Sequence, residues 1–338
     1  MPDPQRERYS RQIRFSGLGE QGQERFARST VAVIGCGALG AFQAGALARA
    51  GVGRLLLIDR DYVEMSNLQR QWLFEESDAL EAMPKAVAAA KAIARINSSI
   101  EVRPLVADFS PDNAAELTEG ADLFLDATDN FETRYLLNDL AVDRAIPWIY
   151  GGAVGSYGLS MPIIPGLTAC FECIYPEAPS GPQPTCETAG VLNTITSLVA
   201  SWQVSLAFRL LAGNSVEPRI TTFDAWTGTT RQITMPARDP ECPACAQRSC
   251  RHLNGESRPP ISLCGRNAVQ IHDRKRPIDL EALAARLAPL GEARQNGFAL
   301  RFVSPPYELT VFPDGRAIIK GTQDPGLARS LYSRYIGN

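Results

Sequence analysis

Residues 31–59 read VAVIGCGALGAFQAGALARAGVGRLLLID, and the order of residue types in that stretch decides the fold. Val31–Ile34 is a short apolar, largely β-branched run, the pattern of a buried strand. Gly35, Gly37 and Gly40 then give the spacing GxGxxG, followed by an Ala- and Leu-rich helix that Gly51 closes. Arg54–Ile58 is the next strand, and Asp59 stands at its end, 19 residues beyond Gly40. This is the layout of a nucleotide-binding βαβ unit. The glycines permit a tight turn and close approach of phosphates, the helix N-terminus offers N–H groups to an anion, and the acid reaches ribose hydroxyls. A lone GxGxxG is weak, but one set between two buried strands with the acid in place is much stronger. It points to a nucleotide without saying which one.

Composition narrows the class. The 338 residues suffice for two domains, or for one large domain with an appendage. A net charge of −3 and the lack of any basic run argue against a nucleic-acid surface. The first residues, MPDPQRERYSRQ, are polar and lack the apolar centre of a signal peptide. The longest apolar stretch, Val191–Ala212, is interrupted by Asn193, Trp202-Gln203 and Arg209, short of the roughly 20 uncharged residues a membrane span needs. The expectation is a soluble cytoplasmic protein with no membrane or nucleic-acid partner. Eight cysteines in that compartment suggest metal or thiol chemistry rather than disulfides.

Working outward from the βαβ unit, strands and helices alternate. Pro84–Asn97 is a helix, Ile100–Val106 a strand, 111–118 a short helix, Ala121–Leu125 a strand, and Pro147–Gly151 closes another. That alternation predicts an α/β fold, a doubly wound and mostly parallel sheet. Residues 61–74, DYVEMSNLQRQWLF, follow a strand's C-terminal end, where open α/β sheets bind ligands. Asn67, Gln69, Arg70 and Gln71 there read either as a phosphate clamp or as a polar surface loop. Lys85 opens a helix, where the backbone dipole disfavours a cation unless an anion docks beside it. In DATDN, Asp126 and Asp129 suit magnesium, with helix capping by Asp129 or Asn130 as the plain alternative. The two arginines of Arg8–Ile13, RYSRQI, read by composition as a solvated face.

The second half differs. Cys170-Phe-Glu-Cys173 and Cys242-Pro-Ala-Cys245 suit a four-thiolate zinc site, although the 68 residues between them require the fold to bring the pairs together. Redox pairing is the weaker reading, because a thioredoxin-type site needs one CxxC opening a helix rather than two in loops. Tyr175–Pro184 is Pro-rich and irregular. Cys186 precedes a long apolar helix predicted over Ala189–Leu211, so it is either a thiol activated at a helix N-terminus or a small buried residue. Ile220–Asp224 and Thr229–Thr234 read as strands. From Cys250 onward the pattern is a small α+β appendage: Ile261–Ile271 extended, Leu280–Leu290 helical, strands at Ala299–Val303, Glu308–Phe312 and Arg316–Lys320, and a helix over Gly326–Ile336. Cys264, flanked by an apolar run, reads as core. The expected domains are 1–249 and 250–338.

RYSRQI, the GxGxxG unit, Asp59, SNLQRQ, Pro84-Lys85, DATDN, two CxxC pairs and TCETAG occur in that order. The series resembles the ThiF/MoeB/HesA family, bacterial relatives of ubiquitin-activating enzymes, over about Arg8–Gln247, and most closely its longer ThiF-like members. The resemblance implies an adenylyltransferase that uses ATP and magnesium to activate the C-terminal glycine of a ubiquitin-like sulfur carrier ending in Gly-Gly, releasing pyrophosphate. By the same resemblance Gly35, Gly37 and Gly40 cradle the nucleotide and Asp59 holds its ribose. Asn67, Arg70 and Lys85 bind phosphates and Asp129 holds magnesium. Arg11 reaches the ATP of a partner subunit in a homodimer. Cys170, Cys173, Cys242 and Cys245 hold structural zinc, and Cys186 matches the loop cysteine linked to the carrier's sulfur. A carboxylate nucleophile is already ionised at neutral pH, which fits the absence of histidine before His252. TCETAG and the tail tilt the expected carrier toward a ThiS-like protein of thiamin thiazole synthesis, with a MoaD-like carrier of molybdopterin synthesis as the alternative. An NAD-dependent oxidoreductase and a non-catalytic adaptor are the rivals from other classes; the first leaves SNLQRQ and the cysteine pairs unexplained, the second the filled catalytic positions.

Overall fold

The structure is a computed structural model that describes residues 7–179, 185–186, 188–256, 262–263, 268–271 and 277–337. The chain forms two compact units, Met1–Ser180 with Gly190–Ser257, and Gly181–Ala189 with Arg258–Asn338.

The first unit is built on an eight-stranded sheet: β1 (Thr30–Ile34), β2 (Arg54–Asp59), β3 (Glu101–Val106), β4 (Leu123–Asp126), β5 (Trp148–Val154), β6 (Tyr157–Ile163), β7 (Arg219–Asp224) and β8 (Thr229–Thr234). Their order is β3-β2-β1-β4-β5-β6-β7-β8. The first five are parallel and the last three join antiparallel. Residues of β1 and β2 are apolar at nearly every position because both faces are covered. Val31, Val33, Leu55 and Leu57 enter one core with the Ala38–Ala50, Lys85–Ile96 and Asn193–Leu211 helices. Ala32, Ile34, Leu56 and Ile58 enter the other, with the Phe131–Arg144 helix and the cysteine pairs. The winding reverses between β1 and β4, and at such a switch point the strand ends leave a crevice.

Two expectations change here. The strand β6 is not predicted from sequence; it forms a hairpin with β5 through Gly155-Ser156, with Gly155 at φ 60°. The long helix begins at Asn193 rather than Ala189. Gly155 N donates to Gly190 O at 2.9 Å and Leu192 N donates to Gly155 O at 2.9 Å, so 190–192 is tied to the hairpin turn instead of coiling. Among the described residues Asn193–Leu211 alone has the length and apolarity to cross a membrane. Its buried side, including Ile195, Val199, Gln203 and Ala207, packs against β5, β6 and the Ala38–Ala50 helix.

The second unit carries an antiparallel sheet in the order β11-β12-β13-β14-β10-β9, formed from β9 (Ser262–Leu263), β10 (Ala268–Ile271), β11 (Glu292–Gln295), β12 (Leu300–Ser304), β13 (Tyr307–Val311) and β14 (Ala317–Lys320). Helices Leu280–Leu287 and Pro325–Tyr335 share one core with Phe302, Leu309, Val311 and Ile319. Each is capped by an aspartate, Asp279 and Asp324, that accepts two backbone N–H bonds. Strand β11 is the element missed there. Cys264 lies outside the described residues.

Candidate active site and four-cysteine cluster

The glycine turn is held by contacts that only glycine permits. Gly35 sits at φ 95°, its N donates to Ile58 O at 2.8 Å, and a Cβ there would stand 2.6 Å from Ala127 O. A Cβ on Gly40 would stand 1.9 Å from Gly35 O, so the first helical turn lies directly on the loop. Gly37 is different: a Cβ there would meet only Gln71 Nε2, at 4.0 Å, and Gly37 is the N-cap of the helix. Open space in front of helical N–H groups is what an anion requires.

Asp59 closes the next side. One carboxylate oxygen accepts from Cys36 N at 2.5 Å and the other from Asp61 N at 2.6 Å, which locks the end of β2 to the glycine turn. Burial lifts the Asp59 carboxyl above the ordinary carboxylate range, while Lys85 and the two amides pull the other way. Lys85 is buried, and its Nζ lies 3.2 Å from Asp61 Oδ2. Its backbone N also donates to Asp61 O at 2.9 Å. Asp61 thus offsets the dipole penalty of a cation at a helix start.

The 61–74 stretch is ordered rather than a loose surface loop. Asn67 is buried, ends a 3-10 turn over Met65–Asn67, and accepts from Glu64 N at 3.0 Å. Arg70 donates to Ser66 O at 2.9 Å and stays partly exposed. Gln71 is buried with its Oε1 lacking a partner among the described residues, near Gly37. Beyond β4, Asp129 is exposed and the helix cap is Asn130, which accepts from Thr133 N at 2.8 Å. Asp126 is buried and bonded to Arg134, so of the two acids only Asp129 is presented to solvent. An exposed carboxylate beyond the end of β4 suits magnesium, which takes one or two carboxylates plus phosphate oxygens.

Arg11 is not brought to this crevice. The N-terminal segment is anchored by Tyr9, whose hydroxyl accepts from Asn97 at 2.8 Å and whose ring covers Gly51. Gly51 caps the far end of the 13-residue Ala38–Ala50 helix, about 20 Å from the glycine turn. Arg11 itself is exposed. Cys186 lies seven residues before the Asn193 helix, which removes the helix-dipole argument for an activated thiol. Thr185 and Thr188 hold a turn around it, each hydroxyl accepting the other's N–H, at 2.9 and 3.2 Å.

The two cysteine pairs meet. Cys170 and Cys242 sulfurs are 3.6 Å apart, Cys173 and Cys245 3.5 Å, Cys170 and Cys173 3.7 Å, and all four lie within 4.8 Å. A tetrahedral ion at the usual zinc–sulfur distance of about 2.3 Å has sulfur edges of about 3.8 Å. The cluster is therefore compatible with zinc. Contrary to the loop reading, the first pair opens a helical turn, Phe171–Ile174. Asn138 fixes that turn by accepting from Phe171 N at 2.8 Å, and Asp139 accepts from His252 N and Leu253 N at 2.8 and 3.3 Å. Sequence reasoning missed Asp61, Asn138 and Asp139. Only Asp61 carried a signal, an acid two residues beyond Asp59 at the same strand end.

Residues 9–244 match the ThiF family. The chain is 42% identical over 334 residues to the sulfur carrier protein ThiS adenylyltransferase of Bacillus subtilis, covering 98% of this chain and 99% of that protein. It is 38% identical over 247 residues to the SAMP-activating enzyme E1 of Haloferax volcanii, covering 72% and 90%. In fold it is similar to the crystal structure of E. coli MccB, with a TM-score of 0.63 at 22% identity over 72% of this chain and 76% of that one. With a match that spans the glycine turn, the 61–74 stretch, DATDN, the first cysteine pair and Cys242, the chain belongs to the ThiF family.

Proposed function

We propose that this chain is a cytoplasmic adenylyltransferase that uses ATP and magnesium to activate the C-terminal glycine of a ThiS-like, ubiquitin-like sulfur carrier ending in Gly-Gly, releasing pyrophosphate, for thiamin thiazole synthesis. The observation that carries this reading is the 42% identity to a ThiS adenylyltransferase along 98% of the chain, appendage included. The SAMP-activating enzyme matches only 72% of the chain.

The residues fit the chemistry. The carrier's terminal carboxylate attacks the α-phosphorus of ATP and pyrophosphate leaves. That nucleophile is ionised at neutral pH and needs no general base. The work left to the protein is positioning and charge neutralisation. Gly35, Gly37 and Gly40 seat the phosphates on the helix N-terminus, and Asp59 takes the ribose. Asn67, Arg70 and Lys85 bind phosphate oxygens, with Lys85 exchanging its contact with Asp61 for them. Asp129 would hold magnesium, which when bound would supply positive charge against the leaving pyrophosphate. Arg11 follows Tyr9, which packs at the far end of the Ala38–Ala50 helix from its own chain's glycine turn, so it serves the site of a second copy, and the working unit is a homodimer. Cys170, Cys173, Cys242 and Cys245 would hold zinc in a structural role. Cys186 belongs to the later sulfur step and not to adenylation.

The test is ATP–pyrophosphate exchange with a ThiS-like and a MoaD-like carrier. Exchange with the ThiS-like carrier alone is expected. Exchange with only the MoaD-like carrier would move the enzyme to molybdopterin synthesis, and none with either would refute adenylation of these carriers.

A further inference from the structure

Asp126 ends a strand at the nucleotide crevice, yet it is fully buried and faces inward. One carboxylate oxygen accepts from Arg134 Nε at 3.1 Å, and the other accepts from Thr128 N at 2.9 Å and Thr128 Oγ1 at 2.7 Å. Arg134, itself buried, spends its remaining reach on backbone. Its Nη2 donates to Thr128 O at 2.7 Å and to Gly151 O at 3.2 Å. The guanidinium lies over the Tyr150 and Phe131 rings, 4.8 and 5.6 Å from their centroids. On the other side, Asp126 O accepts from Gln203 at 2.8 Å and from Gln43 at 3.3 Å. The turn 126–128 is thus gripped from side chain and backbone at once. Asn130 is fixed as a helix cap, and the single residue between the two anchors is Asp129.

A buried ion pair is a poor device for stability alone, since well-packed apolar residues of similar volume are often as good or better. Its geometry serves something else. Arg presents donors in a rigid fork that satisfies a carboxylate and a carbonyl together, which the point charge of Lys cannot do. The geometry points to Arg134 as a positioning residue that sets the turn from which Asp129 meets the metal. This rests on the reading of Asp129 as magnesium ligand.

The experiment uses the full chain with a non-hydrolysable ATP analogue and follows Mn²⁺ binding by its electron paramagnetic resonance signal, alongside binding of the analogue without metal and thermal unfolding. Arg134→Lys is expected to weaken Mn²⁺ binding about tenfold, the lower end of what a ligand's supporting partner contributes, while metal-free nucleotide binding stays unchanged. Asp126→Asn, which keeps the shape of the carboxylate, should give a similar shift and covers the case in which Arg134→Lys fails to fold. In an Asp129→Asn background Arg134→Lys should add nothing. The inference is overturned if Arg134→Lys and Asp126→Asn bind Mn²⁺ as the unaltered protein does while Asp129→Asn does not, or if the Arg134→Lys effect persists undiminished without Asp129. Unchanged Mn²⁺ binding in Asp129→Asn would instead overturn the assignment of Asp129, and this inference with it.

Discussion

The glycines of the turn do two different jobs, and alanine substitutions separate them. At Gly40 a methyl group would stand 1.9 Å from Gly35 O and 3.1 Å from Ala127 Cβ. Carbon–oxygen contacts settle near about 3.3 Å, so loop and helix would have to part by roughly 1.4 Å. Forcing an extra methyl into a packed site costs about 1–3 kcal/mol, and a shift near 1 Å at a reacting group costs about 100-fold in rate. Gly40→Ala should therefore lower both the unfolding temperature and the affinity for ATP. At Gly37 the methyl would meet only Gln71 Nε2 at 4.0 Å. Gly37→Ala should cost only about 1 kcal/mol of stability, the difference between glycine and alanine at a helix N-cap. If the phosphates pass over that position, the same methyl collides with them instead, and about 1–3 kcal/mol of overpacking becomes a roughly 5- to 150-fold loss of affinity. Calorimetric titration with ATP and thermal unfolding of both variants decide it. Full-strength ATP binding by Gly37→Ala would refute the placement of the phosphates, and a Gly40→Ala protein as stable as the parent would refute the packing argument.

Mixing Arg11→Ala with Asp129→Asn tests the shared site: each variant alone should be inactive in pyrophosphate exchange. Random re-pairing into dimers should restore about a quarter of the parental activity, because half the dimers then hold one intact site of two; a mixture that stays inactive would argue against Arg11 acting across the interface. Lys85→Met should abolish exchange and also destabilise, by about 1–3 kcal/mol, since it leaves the Asp61 carboxylate, 14% exposed, beside an apolar side chain. Adding Asp61→Asn should recover the stability without the activity, measured by urea unfolding; recovery of neither would show that the pair does not account for the loss. Cys173→Ser should lower the metal content measured by a colorimetric zinc assay and lower the unfolding temperature, because metal binding to such a cluster is folding free energy. Full zinc content in that variant would remove Cys173 from the ligand set.

What the sequence makes legible is what a short stretch decides by itself. Val31–Asp59 carries strand, turn, helix and acid within one local run, where Gly40 is forced by Gly35 five residues before it and Gly35 by Ala127 just past the neighbouring strand. The cysteine pairs are legible because thiolate spacing is a chemical signature, although only the fold closes the 68-residue gap. Strand β6, YGLSMPI, alternates apolar Tyr157, Leu159, Met161 and Ile163 with Gly158, Ser160 and Pro162, but glycine and proline are depleted in strands and mask the pattern; its stability comes from β5 and β7 on either side. A second local signal was Gly155-Ser156, a two-residue turn between strands. Strand β11, EARQ, carries no apolar pattern because it is a mostly exposed edge. The helix start at Asn193 depends on Gly190 pairing with Gly155, 35 residues away in sequence. The partners of Asp126 were hidden for the same reason: it bonds to Arg134 in the first turn of the next helix and to Gln203, an amide 77 residues on, and no window of sequence sets the acid against both. Residues that touch the ligand are written in local motifs, because their spacing must match the ligand. Those that hold them in place draw on tertiary contacts as well, as Lys85 does with Asp61 and Gln203 with the backbone of Asp126.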